Sequence, residues 1–247
     1  MLFTSYEFIG FFILLLTLYY IIPMRCRWVL LLLGSYLFYY AAGPGYLYYL
    51  MAVTVLTYLT ALAMERNLVR QKAYLKEHKG QLEREEKRAC KEAQKRKRRK
   101  WLALCLVLVL GILAQAKYTN FFISILNGIW ETFGGSGHLS FVKLVFPLGI
   151  SFYTFQAIGY LIDVSRENVP AEKNFFRYAL FLSFFPQLIQ GPISRFGDLS
   201  QTLWAGKQFC SENIGRGLSR MLWGYFKKMV VADRQRKPLS CRKLQAG

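Results

Sequence analysis

The stretch WVLLLLGSYLFYYAAGPGYLYYLMAVTVLTYLTALAM, residues 28–64, carries no Asp, Glu, Lys or Arg. A second run, LVFPLGISFYTFQAIGYLI at 144–162, is equally free of charge. The hydrocarbon core of a bilayer takes roughly 20 predominantly apolar residues per helical crossing. Lipid offers no partner to an open backbone, so helices are the expected element. The first run holds enough residues for two crossings, and Gly43-Pro44-Gly45 interrupts it as a turn does. These two runs predict an all-α, polytopic transmembrane protein.

Working outward, the first span is expected over Phe8–Pro23, the second over Trp28–Ala42 and the third over Tyr46–Met64. Arg25 and Arg27 mark the turn between the first two. Residues 65–100 then carry 15 Lys/Arg against 6 Asp/Glu. A basic segment between apolar runs is what cytoplasmic loops carry. An odd number of spans before it puts the N-terminus outside, with Arg25 and Arg27 inside. The segment is rich in helix formers and reads as a helical or partly disordered hairpin arm. Its last cations, Lys95 to Lys100, abut Trp101. The plain reading is a solvated topology signal; the sharper one is contact with anionic headgroups at the inner leaflet. The first span follows no basic leader, and Glu7 precedes it, so it reads as retained rather than cleaved.

The net charge of +19 raises the question of nucleic acid. The aromatics lie in the apolar spans rather than among the cations, which leaves no stacking platform for bases. Nucleic acid is therefore not an expected partner. Cys26, Cys90, Cys105, Cys210 and Cys241 are scattered without CxxC spacing, so neither a metal site nor a disulfide framework is expected.

Further along, a fourth span is expected over Trp101–Ala116, ended by Lys117-Tyr118-Thr119-Asn120-Phe121-Phe122, with a short apolar stretch to Trp130. Gly134 to Gly137 reads as an external loop. A fifth span is expected over Val142–Ile162, closed by Asp163 and Arg166. Residues 184–195 read FFPQLIQGPISR. Pro186, Pro192, Gly191, Gln187 and Gln190 fall inside an apolar run, where proline removes a donor and cannot continue a helix. Irregular backbone at membrane depth is tolerated where it is buried in protein or lines a wet cavity. A broken or re-entrant helix is expected here, with a simple kink as the alternative. Ser211–Asp233 places Ile214, Leu218, Leu222 and Met229 at helical spacing among Arg216, Arg220, Lys227 and Lys228, so it lies in the interface or lines the interior. From Gln235 to Gly247 the apolar content collapses, and this tail reads as the product of a shifted frame.

The residues 117–122 (KYTNFF), 147–156 (PLGISFYTFQ), 160–163 (YLID) and 184–193 (FFPQLIQGPI) form an ordered series. In content and order the series resembles the membrane-bound O-acyltransferase family, in the branch of bacterial alginate O-acetyltransferase membrane subunits and teichoic-acid D-alanylation proteins. Phe226-Lys227-Lys228 and Ala232-Asp233-Arg234 fit the same branch. The resemblance covers residues 1–234, which would form a partial membrane domain of that fold.

The resemblance implies a multi-helix enzyme of the bacterial cytoplasmic membrane with a central funnel. It would move an acyl group, acetyl or D-alanyl, to a hydroxyl of an exported polysaccharide or teichoic acid. The donor would be an acyl-carrier or CoA thioester on the cytoplasmic side, and the acceptor an extracytoplasmic polymer or a partner acyltransferase. The family's histidine would lie beyond Gly247. The two histidines present, His78 and His138, stand outside any such motif and read as solvated surface groups. Acyl transfer to an alcohol needs a base near working pH, and histidine is the natural one. The chain alone is therefore expected to be inactive, and no residue in it is assigned as catalytic.

Polar side chains at membrane depth face a cavity or a partner. Gln156, Gln187, Gln190 and Arg195 are the candidate funnel-lining residues, with hydrogen bonding to freed backbone as the plainer role of the glutamines. Pro147, Asp163, Pro186, Gly191 and Pro192 are candidate structural residues of the motifs. A transport or scaffold protein with a broken-helix cavity is the alternative from another class.

Overall fold

The structure is a computed structural model, and it describes residues 5–78, 84–132, 147–188, 191–206 and 208–232. All the regular elements among them are helical: α1 Tyr6–Ile21, α2 Arg27–Ala42, α3 Tyr46–Glu77, α4 Arg84–Thr132, α5 Ile150–Ser165, α6 Phe175–Ser183, α7 Phe185–Leu188, α8 Phe196–Ala205 and α9 Ser211–Phe226. A single 3-10 turn, Met24–Cys26, leads into α2, and a π-helical turn, Lys227–Ala232, follows α9. The chain divides into two compact units, one of Pro23–Gly206 and one that joins Met1–Ile22 to Lys207–Gly247.

In the larger unit α3 and α4 are long and apolar enough to cross a membrane. α2 has sixteen residues, about 24 Å at 1.5 Å per residue, which is less than the hydrocarbon core. α3 buries Leu50, Val53, Thr54, Thr57, Ala61, Met64, Leu68 and Gln71 along one stripe. The steps of three and four residues keep these positions on one face. Thr54, Thr57 and Thr60 sit on that stripe without stranding a polar atom, because each hydroxyl donates to the carbonyl four residues back. Thr57 also shares a 2.7 Å hydrogen bond with the Tyr178 hydroxyl across to α6. Small polar residues let helices approach closely in lipid.

The basic segment is helical and continuous with its neighbours: α3 runs past Met64 to Glu77, and α4 begins at Arg84 and continues through Trp101. The helix of the fourth span also runs on through 117–122 to Thr132. That stretch contains neither Pro nor Gly. Thr119 donates back to the Gln115 carbonyl, and the Lys117 ammonium folds over the Tyr118 ring at 5.4 Å, so its polar groups are served within the helix. α5 begins at Ile150, later than Val142, and residues 142–146 and the 134–137 loop lie outside the described residues.

The core between α3, α5, α6 and α8 is aromatic. Tyr160 lies 4.8 Å by ring centroid from both Tyr178 and Phe196, and Phe196 meets Phe181 edge-on at 4.9 Å. The Tyr160 hydroxyl accepts from the Glu172 amide at 2.9 Å, so burying the ring leaves no orphaned oxygen. Arg177 stacks over Trp28 and Trp204, its guanidinium carbon 5.7 and 5.2 Å from the two ring centroids, and thereby ties α6 to α2 and α8.

In the smaller unit Ser5 caps α1 by accepting from the Phe8 amide. Tyr20 meets Phe209 edge-on at 5.2 Å. No residue of α9 is buried, and Leu218, Leu222, Trp223 and Phe226 are exposed. Of the two readings of 211–233, this exposure fits the interfacial one. The 235–247 tail lies outside the described residues.

Candidate functional site

Phe184 stands between α6 and α7 with φ −55 and ψ 105, which breaks the helix. Pro186 explains the position. It has no N–H to return to α6, whereas in the first turn of a new helix that N–H is dispensable. α7 restarts on the Phe184 carbonyl, which accepts from Gln187 N at 3.0 Å and Leu188 N at 3.1 Å. A break frees backbone groups at both helix ends, and one carbonyl and one amide among them find side chains from neighbouring helices. Gln156 of α5, 5% exposed, donates Nε2 to the Phe181 carbonyl at 3.0 Å. Ser35 of α2 accepts from the Phe185 amide at 3.3 Å while its own proton goes to Leu31 O at 2.7 Å.

Two of the motif segments meet at this break. Pro147 is buried, and its carbonyl accepts from Ile150 N at 3.3 Å to start α5. Leu148 O accepts from the Tyr39 hydroxyl at 2.8 Å. Gly149 has φ +73, and a Cβ there would stand 2.0 Å from the carbonyl oxygen of Leu188, so only glycine lets the two turns touch. Gly191 closes the turn that follows α7. Its N–H donates to Gln187 O at 3.0 Å, and a Cβ would fall 2.4 Å from Gln187 Cα.

The site keeps unpaired polar atoms. Gln187 donates Nε2 to Ser194 Oγ at 3.0 Å, but its buried Oε1 has no partner in the protein. Thr154 Oγ1 of α5 and Ser183 Oγ of α6 are buried and unpartnered as well. Tyr153 meets Tyr39 edge-on at 6.5 Å. Buried polar atoms without partners are rare in proteins, and here they fall on three successive elements, α5, α6 and α7.

The remaining sequence candidates separate. Pro192 and Arg195 are exposed on the strand-like lead into α8. Asp163 accepts from Asn168, side chain to side chain at 3.1 Å, and closes the end of α5. Gln190 and His138 lie outside the described residues. His78 is half-buried rather than fully solvated, its ring 4.5 Å from Tyr74 at the end of α3. Among the described residues no group of three His, Cys, Asp or Glu side chains is placed to hold a metal. Sequence reasoning missed Ser35, Tyr39 and Tyr153, although a serine inside an uncharged run was a usable signal.

The chain is similar to several bacterial proteins. It is 35% identical over 234 residues to the "Probable alginate O-acetylase AlgI" of Azotobacter vinelandii, covering 94% of this chain and 42% of that protein. Against the same-named protein of Pseudomonas aeruginosa the identity is 34%, covering 94% and 40%. The "Peptidoglycan O-acetyltransferase" of Helicobacter pylori is 36% identical over 162 residues, covering 55% of this chain and 30% of that protein. The chain thus spans about two fifths of the length of the first curated relatives it matches. No family model matches it, and no solved structure does.

Proposed function

We propose that this chain belongs to the membrane-bound O-acyltransferase family and forms part of an enzyme moving an acetyl group to a hydroxyl of an exported cell-envelope polysaccharide. The reading takes the chain as a multi-pass protein of the bacterial cytoplasmic membrane with its N-terminus outside. An acyl-carrier or CoA thioester supplies the acetyl group from the cytoplasm, and an extracytoplasmic polymer or a partner acyltransferase receives it. Acetyl is preferred to D-alanyl, and polysaccharide to teichoic acid, because the relatives are named for O-acetyl transfer.

One observation carries the reading: residues 147–156 and 184–191 meet backbone to backbone at Gly149 and leave buried polar atoms unpaired on α5, α6 and α7. In the transfer, the hydroxyl oxygen forms a bond to the thioester carbonyl carbon, the carbon–sulfur bond breaks, and a base takes the hydroxyl proton. The two segments supply walls and hydrogen-bond partners for that step. They do not supply the base, since the chain holds only His78 and His138. In the reading the chain alone is inactive.

The test is a chimera in which residues 1–234 replace the matching residues of the Azotobacter vinelandii relative. It is expressed in cells that export an alginate they cannot acetylate, and O-acetyl content is read by proton NMR. Acetylation by the chimera and none by the chain alone is expected. A folded but silent chimera sinks the acetyl-transfer reading, and acetylation by the chain alone sinks its inactivity.

A further inference from the structure

Where α3 and α4 leave their apolar stretches, they and the end of α5 enclose a cavity of about 1480 Å³. Nine Lys and Arg side chains line it against two carboxylates, Glu92 and Glu167. On α4 the lining positions include Lys91, Lys95, Arg98, Leu102 and Leu106, with Arg99 beside Arg98. These steps of three and four keep one helix face continuous, so it changes from cationic to apolar within two turns. Ile162 of α5 extends the apolar floor. Trp101, 41% exposed beside this changeover, marks the headgroup level of a bilayer.

Arg98 is the anchor. Its side chain is 9% exposed, and Nη1 donates to Glu167 Oε1 at 2.8 Å. Its buried Nε has no protein partner. Glu167 also pairs with Lys72 at 3.4 Å, and it holds φ +64, a left-handed conformation that non-glycine residues seldom adopt. The neighbouring cations hold its carboxyl below the ordinary range, chiefly through the Arg98 hydrogen bond. Nine cations against two carboxylates give the cleft a net positive charge, and such a cleft concentrates anions.

We propose that this cavity binds the headgroup of an anionic phospholipid. Its phosphodiesters would lie among Lys95, Arg98 and Arg99, and its acyl chains against Leu102, Leu106 and Ile162. The apolar floor favours a lipid over free phosphate, and the number of cations favours two phosphates, as in diphosphatidylglycerol. This site is separate from the acyl-transfer reading, which its failure would leave standing.

The test is binding to the purified, delipidated chain in detergent micelles at 0.15 M salt, with diphosphatidylglycerol, phosphatidylcholine and sodium pyrophosphate as probes. Saturable binding of the first alone is expected. Lys95→Gln with Arg99→Gln weakens it about thirty-fold, from about 1 kcal/mol per cation near an anionic surface. Arg96→Gln with Lys97→Gln is the charge-matched control on the same helix, at positions outside the cavity lining. Equal losses in both pairs would mean a diffuse basic face and overturn the site. Pyrophosphate that displaces the lipid at equal concentration would overturn the lipid in favour of soluble phosphates. If circular dichroism shows that the groove pair has lost its helices, Arg166→Gln alone decides the question, with about a fivefold loss expected.

Discussion

Replacing Gly149 by alanine tests the contact on which the candidate site is built. Two costs add. At φ +73 a Cβ forces the left-handed region, which costs about 1–2 kcal/mol. That Cβ would also stand 2.0 Å from the Leu188 carbonyl oxygen, whereas carbon–oxygen contacts settle at about 3.3 Å. The obstacle is backbone, so no rotamer relieves it, and overpacking of this kind adds about 1–3 kcal/mol. The sum is about 2–5 kcal/mol. Asparagine at 149 separates the terms, because it tolerates the left-handed region yet carries the same Cβ. For a chain of this length about 1 kcal/mol moves Tm by about 2–4 °C. Tryptophan-fluorescence melts in detergent should show Gly149→Ala lowered by about 4–20 °C, with Gly149→Asn recovering only the conformational part of the loss. Gly149→Asn melting like the wild type would refute the argument from the Leu188 carbonyl.

The helix break yields two further expectations. Gln156→Leu strands the Phe181 carbonyl and should destabilise by about 1–3 kcal/mol, read as a lowered melt. An undisturbed melt combined with lost acetylation in the chimera would make Gln156 a substrate contact instead. Ser35→Ala strands the Phe185 amide, and a loss of about 1–2 kcal/mol is expected on the same scale. The last concerns pH. Glu167 is held below the ordinary carboxylate range, so its ion pairs contribute above that range and are lost as pH falls through the folded value. The group is exposed, so solvent screening limits the contribution to less than about 1 kcal/mol. Wild type should lose slightly more Tm than Glu167→Gln between about pH 5 and pH 3; parallel curves would count the pairs as inert.

Much of the fold was legible because charge and lipid do not mix. The uncharged run 28–64 placed α2 and α3 and their turn closely, and Pro186 with Gly191 announced the break between α6 and α7. Helix ends set by composition were less sure. Polar residues from Glu65 to Glu77 and from Arg84 to Lys100 leave the lipid without leaving the helix, because a helix ends on Pro, Gly or a cap and not on a charge. At the site, Gln156 and Gln187 stood out as amides in apolar surroundings. Ser35 and Tyr39 did not, since their partners lie 150 and 109 residues away in sequence. Periodicity reports the face of a helix but not what arrives there from another.

α4 carries its lipid-facing half and its cationic half on one uninterrupted helix of 49 residues, and each residue turns such a helix by about 100°. The two halves are therefore locked in angular phase. A one-residue insertion between Arg98 and Trp101 would leave both local compositions intact, yet swing Lys91, Lys95 and Arg98 roughly a quarter-turn away from α5. Insertions of about seven or eleven residues, near whole turns, would restore the alignment while lifting the cations farther from the bilayer. Length variation along this lineage should thus accumulate outside α4, and within it only in steps that preserve phase.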